Sequence, residues 1–177
     1  MGVNLRRGHG KSSGDRYDVE PSREVALKGI LKRPLIITAI VVVLRVISER
    51  AGAPVIVSNL LSVVALHTLI VPIYVAVRLA TGEVERPYLS LFKLILIYVL
   101  AARALILPTY WLARIFRWSD NRFGGLADST PFIGFIAIPF LTAAFWIVTS
   151  LVVGGAIGSL ILTIMGPRSR AARPAKP

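Results

Sequence analysis

A run of 36 residues without a charged side chain, from Pro131 to Gly166, constrains this chain more than any other feature. Such a run is typical of a segment that is surrounded by hydrocarbon rather than water. As a single helix it would be about 54 Å long, whereas the hydrocarbon core of a bilayer is roughly 30 Å thick. Because Pro139 interrupts the run, we predict a half-buried or re-entrant piece over 132–140 and a membrane span over 142–165.

Three further apolar segments predict three more spans, and polar turns containing glycine or proline separate them. These spans cover approximately residues 30–48, 55–77 and 88–107. The predicted fold is therefore an all-α integral membrane protein with four transmembrane helices in one domain over 29–166. Residues 1–28 are rich in glycine, serine and charge, which predicts a flexible basic N-terminal tail. Residues 167–177 are predicted to form a basic C-terminal tail.

The segment between the third and fourth spans has an amphipathic pattern. Pro108 is expected to end or kink the third span. Beyond it, Trp111 and Trp118 lie on one side of a helical repeat, and Arg114 and Arg117 lie on the other side. Aromatic and basic residues in this arrangement predict a helix in the interface plane, with these four side chains as interface anchors.

The distribution of the basic residues indicates the orientation of the chain. The net charge is +12, but the Lys and Arg residues collect at the ends of apolar segments. This placement argues against nucleic acid and favours anionic lipid headgroups as partners. Fourteen Lys and Arg residues lie on the side of the two termini and four on the other side. Both termini are therefore predicted to be cytoplasmic, in a bacterial inner membrane, with an organelle membrane as the alternative.

His67 is an ionisable residue inside the second predicted span. Three interpretations stay open: a neutral histidine that bonds a neighbouring helix, an axial ligand of a haem, metal or pigment, or part of a proton path. A haem held by two histidines of this chain is excluded, because the second histidine, His9, lies in the tail. Pro72, five residues later, is expected to kink the span, either for packing or as a hinge.

The other charges within the predicted spans are Arg45, Lys93 and Arg103. Each lies within a few residues of a predicted span end, so the side chains are expected to reach the headgroups or a partner. A role in substrate binding is the alternative, although no acidic residue lies in any predicted span.

Small residues recur on one face of the fourth predicted span. They are Ser150, Gly154, Gly155, Gly158 and Ser159. Small residues four apart allow two helix backbones to approach closely, so this face is predicted to pack on another helix of this chain or of another subunit.

The sequence contains no recognisable catalytic pattern. It has no cysteine, no Ser-centred nucleophile motif, no metal-binding helix motif and no phosphate-binding loop. We therefore predict that the protein is not an enzyme and has no metal site, and the sequence leaves its cofactors unknown. The first hypothesis is a structural or assembly subunit of a larger membrane complex, which contacts other subunits or lipids through its small-residue face. The alternative is a small oligomeric channel or transporter that uses His67 and the proline-broken helices.

Overall fold

A computed structural model describes residues 20–54, 56–57, 62–82, 84–118, 123, 126 and 128–171, with side chains described only between residues 29 and 165. Every regular element within these residues is helical. Three helices are long and apolar enough to cross a membrane, and we name them α2 (Val63–Thr81), α3 (Pro87–Ile115) and α4 (Ile133–Met165). The prediction of an all-α, multi-pass membrane protein is confirmed.

A further helix, α1, covers Glu20–Arg50 and precedes the three apolar helices. Helix α1 therefore includes the last nine residues of the tail predicted over 1–28, and residues 1–19 lie outside the described part of the chain. Pro21 suits the first turn of a helix, and the residues that follow include good helix formers, so a helix can begin at Glu20. At the other end, helix extends to Ala171, so residues 167–171 of the predicted C-terminal tail are helical as well.

Helix α3 does not end at Pro108. It continues to Ile115, and the separate interfacial helix predicted after Pro108 is therefore wrong. Proline is tolerated inside a membrane helix when nearby groups satisfy the backbone around it. Beside Pro108 the buried hydroxyl of Thr109 donates to the carbonyl of Ile106 at 2.7 Å, whereas the carbonyl that lacks its usual N–H donor is that of Ala104. The continuation adds eight residues to the span predicted over 88–107 and places Arg103 away from both helix ends.

Helix α4 is continuous through Pro139, so the predicted re-entrant piece over 132–140 is not confirmed. Its 33 residues correspond to about 50 Å, so the helix must tilt or project beyond the hydrocarbon. A π-helical turn, Ile133–Ala137, precedes Pro139, and Leu66–Ile70 precedes Pro72 in α2 in the same way. The wider π turn accommodates a proline ring that would otherwise meet the carbonyl of the preceding turn.

The core lies around α3, which packs against α1, α2 and α4. Its largest cluster of buried side chains draws on all four helices. Helix α2 packs mainly against the C-terminal half of α4, from Gly155 onward. Helix α1 is attached to α3 by a hydrogen bond of 2.6 Å between the Thr38 and Tyr98 hydroxyls, both completely buried. This arrangement places one polar side chain from each of α2, α3 and α4 at a common junction.

Candidate functional site

The junction consists of His67 from α2, Arg103 from α3 and Ser150 from α4. The side chains are 0%, 6% and 0% exposed, respectively. His67 Nδ1 lies 2.7 Å from Ser150 Oγ, and His67 Nε2 lies 2.5 Å from Arg103 Nη2. The imidazole thus connects three helices, and the interhelical hydrogen bond that was one interpretation of His67 is present in the structure.

The direction of each hydrogen bond in the junction follows from the groups available. A guanidinium can only donate, so Nε2 of His67 accepts from Arg103. A neutral imidazole then carries its hydrogen on Nδ1 and donates it to Ser150 Oγ. The Ser150 hydroxyl donates in turn to the carbonyl of Trp146, 2.7 Å away. The result is one directed chain from Arg103 to the backbone of α4, with His67 neutral.

This direction limits the chemistry available to His67. A histidine that activates a serine accepts the hydroxyl hydrogen, whereas here His67 donates to Ser150. A histidine that binds haem, metal or pigment needs a free ring nitrogen, whereas both nitrogens of His67 are engaged. In the part of the chain that the structure describes, no group of His, Asp and Glu residues is placed to hold a metal ion.

Trp146 adds an aromatic wall to the junction. Its ring meets the His67 ring edge-on, with 5.9 Å between the centroids. The guanidinium carbon of Arg103 lies 5.7 Å from the centre of the Trp146 ring, within range of a cation–π interaction. The indole therefore stabilises the Arg103 cation without neutralising it.

Arg103 is a buried cation for which no acidic partner is found among the described residues. Its Nε is buried and makes no hydrogen bond to any described group. Of the two expectations for Arg103, headgroups or a partner, the structure shows the partner, which is His67. Arg103 lies 12 positions from the C-terminal end of α3, about 18 Å along the helix, and its side chain points into the protein.

The small-residue face of α4 packs against helices of this chain. A Cβ atom built on Gly154 would lie 2.6 Å from Pro72 Cγ, and one on Gly158 would lie 2.9 Å from a methyl group of Leu91. Gly155 contacts the ring of Phe92, Ser150 belongs to the junction, and Ser159 is half-buried. At Gly154, one helical turn from Ser150, the backbone of α4 lies close against Pro72 of α2, and this contact holds α2 and α4 together beside the bond between His67 and Ser150.

The four predicted interface anchors have separate positions. Arg114 is not a headgroup anchor: it donates to the carbonyls of Leu126 and Ser129 and so fixes the loop between α3 and α4. Trp111 is partly exposed and donates to the carbonyl of Phe135 at 3.0 Å. Trp118 is half-buried beneath the guanidinium of Arg50, 5.1 Å from its ring centre. Arg117 is exposed and has a φ of 49°, directly after the end of α3.

The junction is thus a fixed positive charge within α3 and α4 and near the N-terminal end of α2, held on one side by an imidazole and an indole. Sequence reasoning identified His67 and Ser150 but named no partner for Arg103. No protein-family model, no curated protein and no solved structure matches this chain.

Proposed function

We propose that the protein is a non-catalytic, multi-pass subunit of a larger membrane complex. One observation supports this proposal above the others: α4 is poorly covered by the rest of the chain. In its most apolar stretch 17% of the residues are buried, compared with 44% in both α2 and α3. A helix of 33 residues with so little intramolecular packing offers a long surface to another membrane protein.

The uncovered face of α4 is large and partly aromatic. Its most exposed apolar side chains are Phe132, Phe140, Leu141, Phe145, Val148, Val152 and Leu160. Aromatic side chains contribute large contact areas at protein interfaces and lose little side-chain entropy on binding. Other subunits and bilayer lipids are the partners in this proposal.

The channel or transporter alternative has weaker support. It requires a histidine that exchanges protons or ligands, and both ring nitrogens of His67 are bonded within the junction. The π turns before Pro72 and Pro139 make the helices irregular, but they lie within helices that remain continuous.

The proposal includes α1 as a fourth span. Thr38 in α1 is completely buried against Tyr98 of α3, so α1 runs beside a membrane-spanning helix at this level. On its other side α1 exposes a stripe of large apolar side chains suited to lipid: Ile36, Ile37, Ile40, Val43, Leu44 and Ile47. Arg45 is paired with Glu49 at 2.9 Å, which reduces the cost of placing this charge near the membrane.

If α1 is a fourth span, the excess of Lys and Arg residues on the side of the two termini predicts that both termini are cytoplasmic, in the inner membrane of a bacterium. Anionic lipid headgroups then contact the Lys- and Arg-rich ends on that side.

Cysteine labelling tests the span number, because the natural chain has no cysteine. Single cysteines replace three exposed residues: Gly29 within α1, Ala51 directly after α1 and Thr81 at the end of α2. In sealed inside-out vesicles, we expect a membrane-impermeant maleimide to label G29C and T81C and to leave A51C unlabelled until detergent is added. If α1 lay outside the membrane, G29C and A51C would behave alike, and the four-span proposal would be wrong.

Affinity purification from native membranes tests the proposed function. In mild detergent we expect stoichiometric membrane-protein partners to be retained, because a wide apolar face is buried between subunits. The double substitution F145A/V148A removes area from the exposed face of α4, and we expect it to reduce partner recovery several-fold. I37A/I40A, on the exposed face of α1, is the matched control and should leave recovery unchanged. Recovery of the natural chain as a monomer without partners would contradict the proposal.

A further inference from the structure

A narrow cleft beside the junction lies between α3 and the first half of α4. Arg103, Ile106, Pro139 and Ala143 are its buried lining residues. Its volume is about 170 Å³ including the open mouth, and it is too narrow for a water molecule to enter. The cleft therefore has apolar walls and one cationic side chain, that of Arg103, and leaves no room for a water molecule beside it.

The mouth of the cleft is formed by half-buried residues. Leu107 is apolar, whereas Tyr110 and Thr142 each bring a hydroxyl group to the lining. All three lie on α3 and α4, two helices that are long and apolar enough to cross a membrane, so the mouth lies between apolar helices. A ligand that reaches the cleft from the hydrocarbon must itself dissolve in the membrane.

The charge of Arg103 identifies the ligand chemistry. Its Nη2 donates to His67 and its face lies over Trp146, but its Nε is buried without a hydrogen-bond partner among the described residues. A guanidinium has five N–H donors and binds best to a planar group with two oxygens. An unneutralised cation at this depth is costly, and an anion beside it recovers part of that cost.

We propose that this cleft binds the carboxylate of a membrane-soluble acid, with the acyl chain extending through the mouth into the bilayer. The carboxylate accepts from Nε of Arg103, and the hydroxyls of Tyr110 and Thr142 line its path. A single negative charge matches the single positive charge of Arg103. A phospholipid phosphate fits less well, because its headgroup is bulkier than a carboxylate and the cleft is narrow.

In this site His67 is a positioning residue. Its bond to Nη2 fixes one edge of the guanidinium of Arg103, which also lines the cleft. The cleft must widen to admit a carboxylate, and the π turn Ile133–Ala137, which ends two residues before Pro139, is the irregular part of its α4 wall. The site is independent of the proposed assembly role, which rests on the exposed face of α4.

Equilibrium binding of radiolabelled palmitate tests the proposal, with the full chain in nanodiscs of phosphatidylcholine at a pH that ionises the fatty acid. We expect saturable binding of one palmitate per chain, with unlabelled palmitate competing and methyl palmitate, which lacks the charge, competing poorly. Hexadecyl phosphate distinguishes the source of the anion and should compete less well than palmitate. Any of three results would overturn the proposal: no saturable palmitate binding, equal competition by methyl palmitate, or stronger competition by hexadecyl phosphate than by palmitate.

Substitutions locate the site. R103M should weaken palmitate binding about tenfold or more, because it removes a charged hydrogen-bond donor from the ligand. K93M removes a positive charge ten positions away on α3 and should leave binding unchanged. T142L keeps Arg103 but fills the mouth, so a several-fold loss is expected even if R103M does not fold. Binding to both T142L and folded R103M within twofold of the natural chain would overturn the assignment.

Discussion

The G154A variant of this protein is expected to unfold at a lower temperature than the natural chain in the same detergent. At Gly154 the backbone of α4 approaches α2 so closely that an added Cβ would lie 2.6 Å from Pro72 Cγ and 3.3 Å from the carbonyl oxygen of Thr68. Neither neighbour can yield easily: Pro72 is a ring fused to the backbone, and the carbonyl belongs to the helix itself. The two helices must therefore move apart.

The expected cost of G154A is about 1–3 kcal/mol, the usual range for overpacking a close-packed interior, and G154V should cost more. Separation of the helices also lengthens the bond between His67 and Ser150, which crosses the same contact. The measurement is the thermal unfolding midpoint of the purified protein, followed by loss of the monodisperse peak in size-exclusion chromatography.

Two other glycines supply matched controls for this prediction. Gly29 in α1 has no atom within 4 Å of an added Cβ, so G29A should be neutral or slightly stabilising through helix propensity. Gly158 faces the methyl groups of Leu91, the end of a flexible side chain that can change rotamer, so G158A should cost less than G154A. Equal midpoints for G154A and G29A would show that the helix contact at Gly154 is not tight.

The hydrophobic runs determine much of this fold, and the small residues of α4 indicate its packing face. Both features are readable in sequence because they depend on composition and on a helical repeat. The prolines are harder to interpret. Pro108 lies inside α3, and Pro139 lies inside a continuous α4, where a π turn precedes the proline ring. Such compensation depends on residues several positions away and leaves no simple sequence pattern.

The contacts within the junction could not be predicted from the sequence. His67 and Arg103 are 36 residues apart, and His67 and Ser150 are 83 apart, on different helices. The position expected for Arg103 depended on Pro108. A predicted span that ends at residue 107 places Arg103 near the membrane surface, whereas the observed helix, which ends at Ile115, places Arg103 within the helix. Once α3 is extended, a basic residue in its middle indicates a buried partner, and His67 is the one ionisable side chain in the apolar part of α2.

The H67L variant is expected to be the least stable single variant of the junction. Leucine removes the acceptor for Arg103 Nη2, and the guanidinium then has neither an anion nor the imidazole among the described residues. A hydrogen bond between membrane helices averages well under 2 kcal/mol, but removal of one partner of a buried charge costs about 3–5 kcal/mol. The cost of the unpaired Arg103 charge should therefore exceed the cost of the lost hydrogen bond. SDS-induced unfolding in mixed micelles measures the difference.

The double variant H67L/R103M distinguishes a stranded charge from lost packing. If the cost of H67L comes from the unpaired guanidinium, removal of the guanidinium as well should restore most of the stability, because two apolar side chains of similar size can replace a buried polar pair at little cost. H67Q, which can keep an acceptor near Nη2, should fall between the natural chain and H67L. A double variant as unstable as the sum of its single changes would mean that the imidazole acts by filling space. The Arg103 charge would then be compensated by a group other than His67.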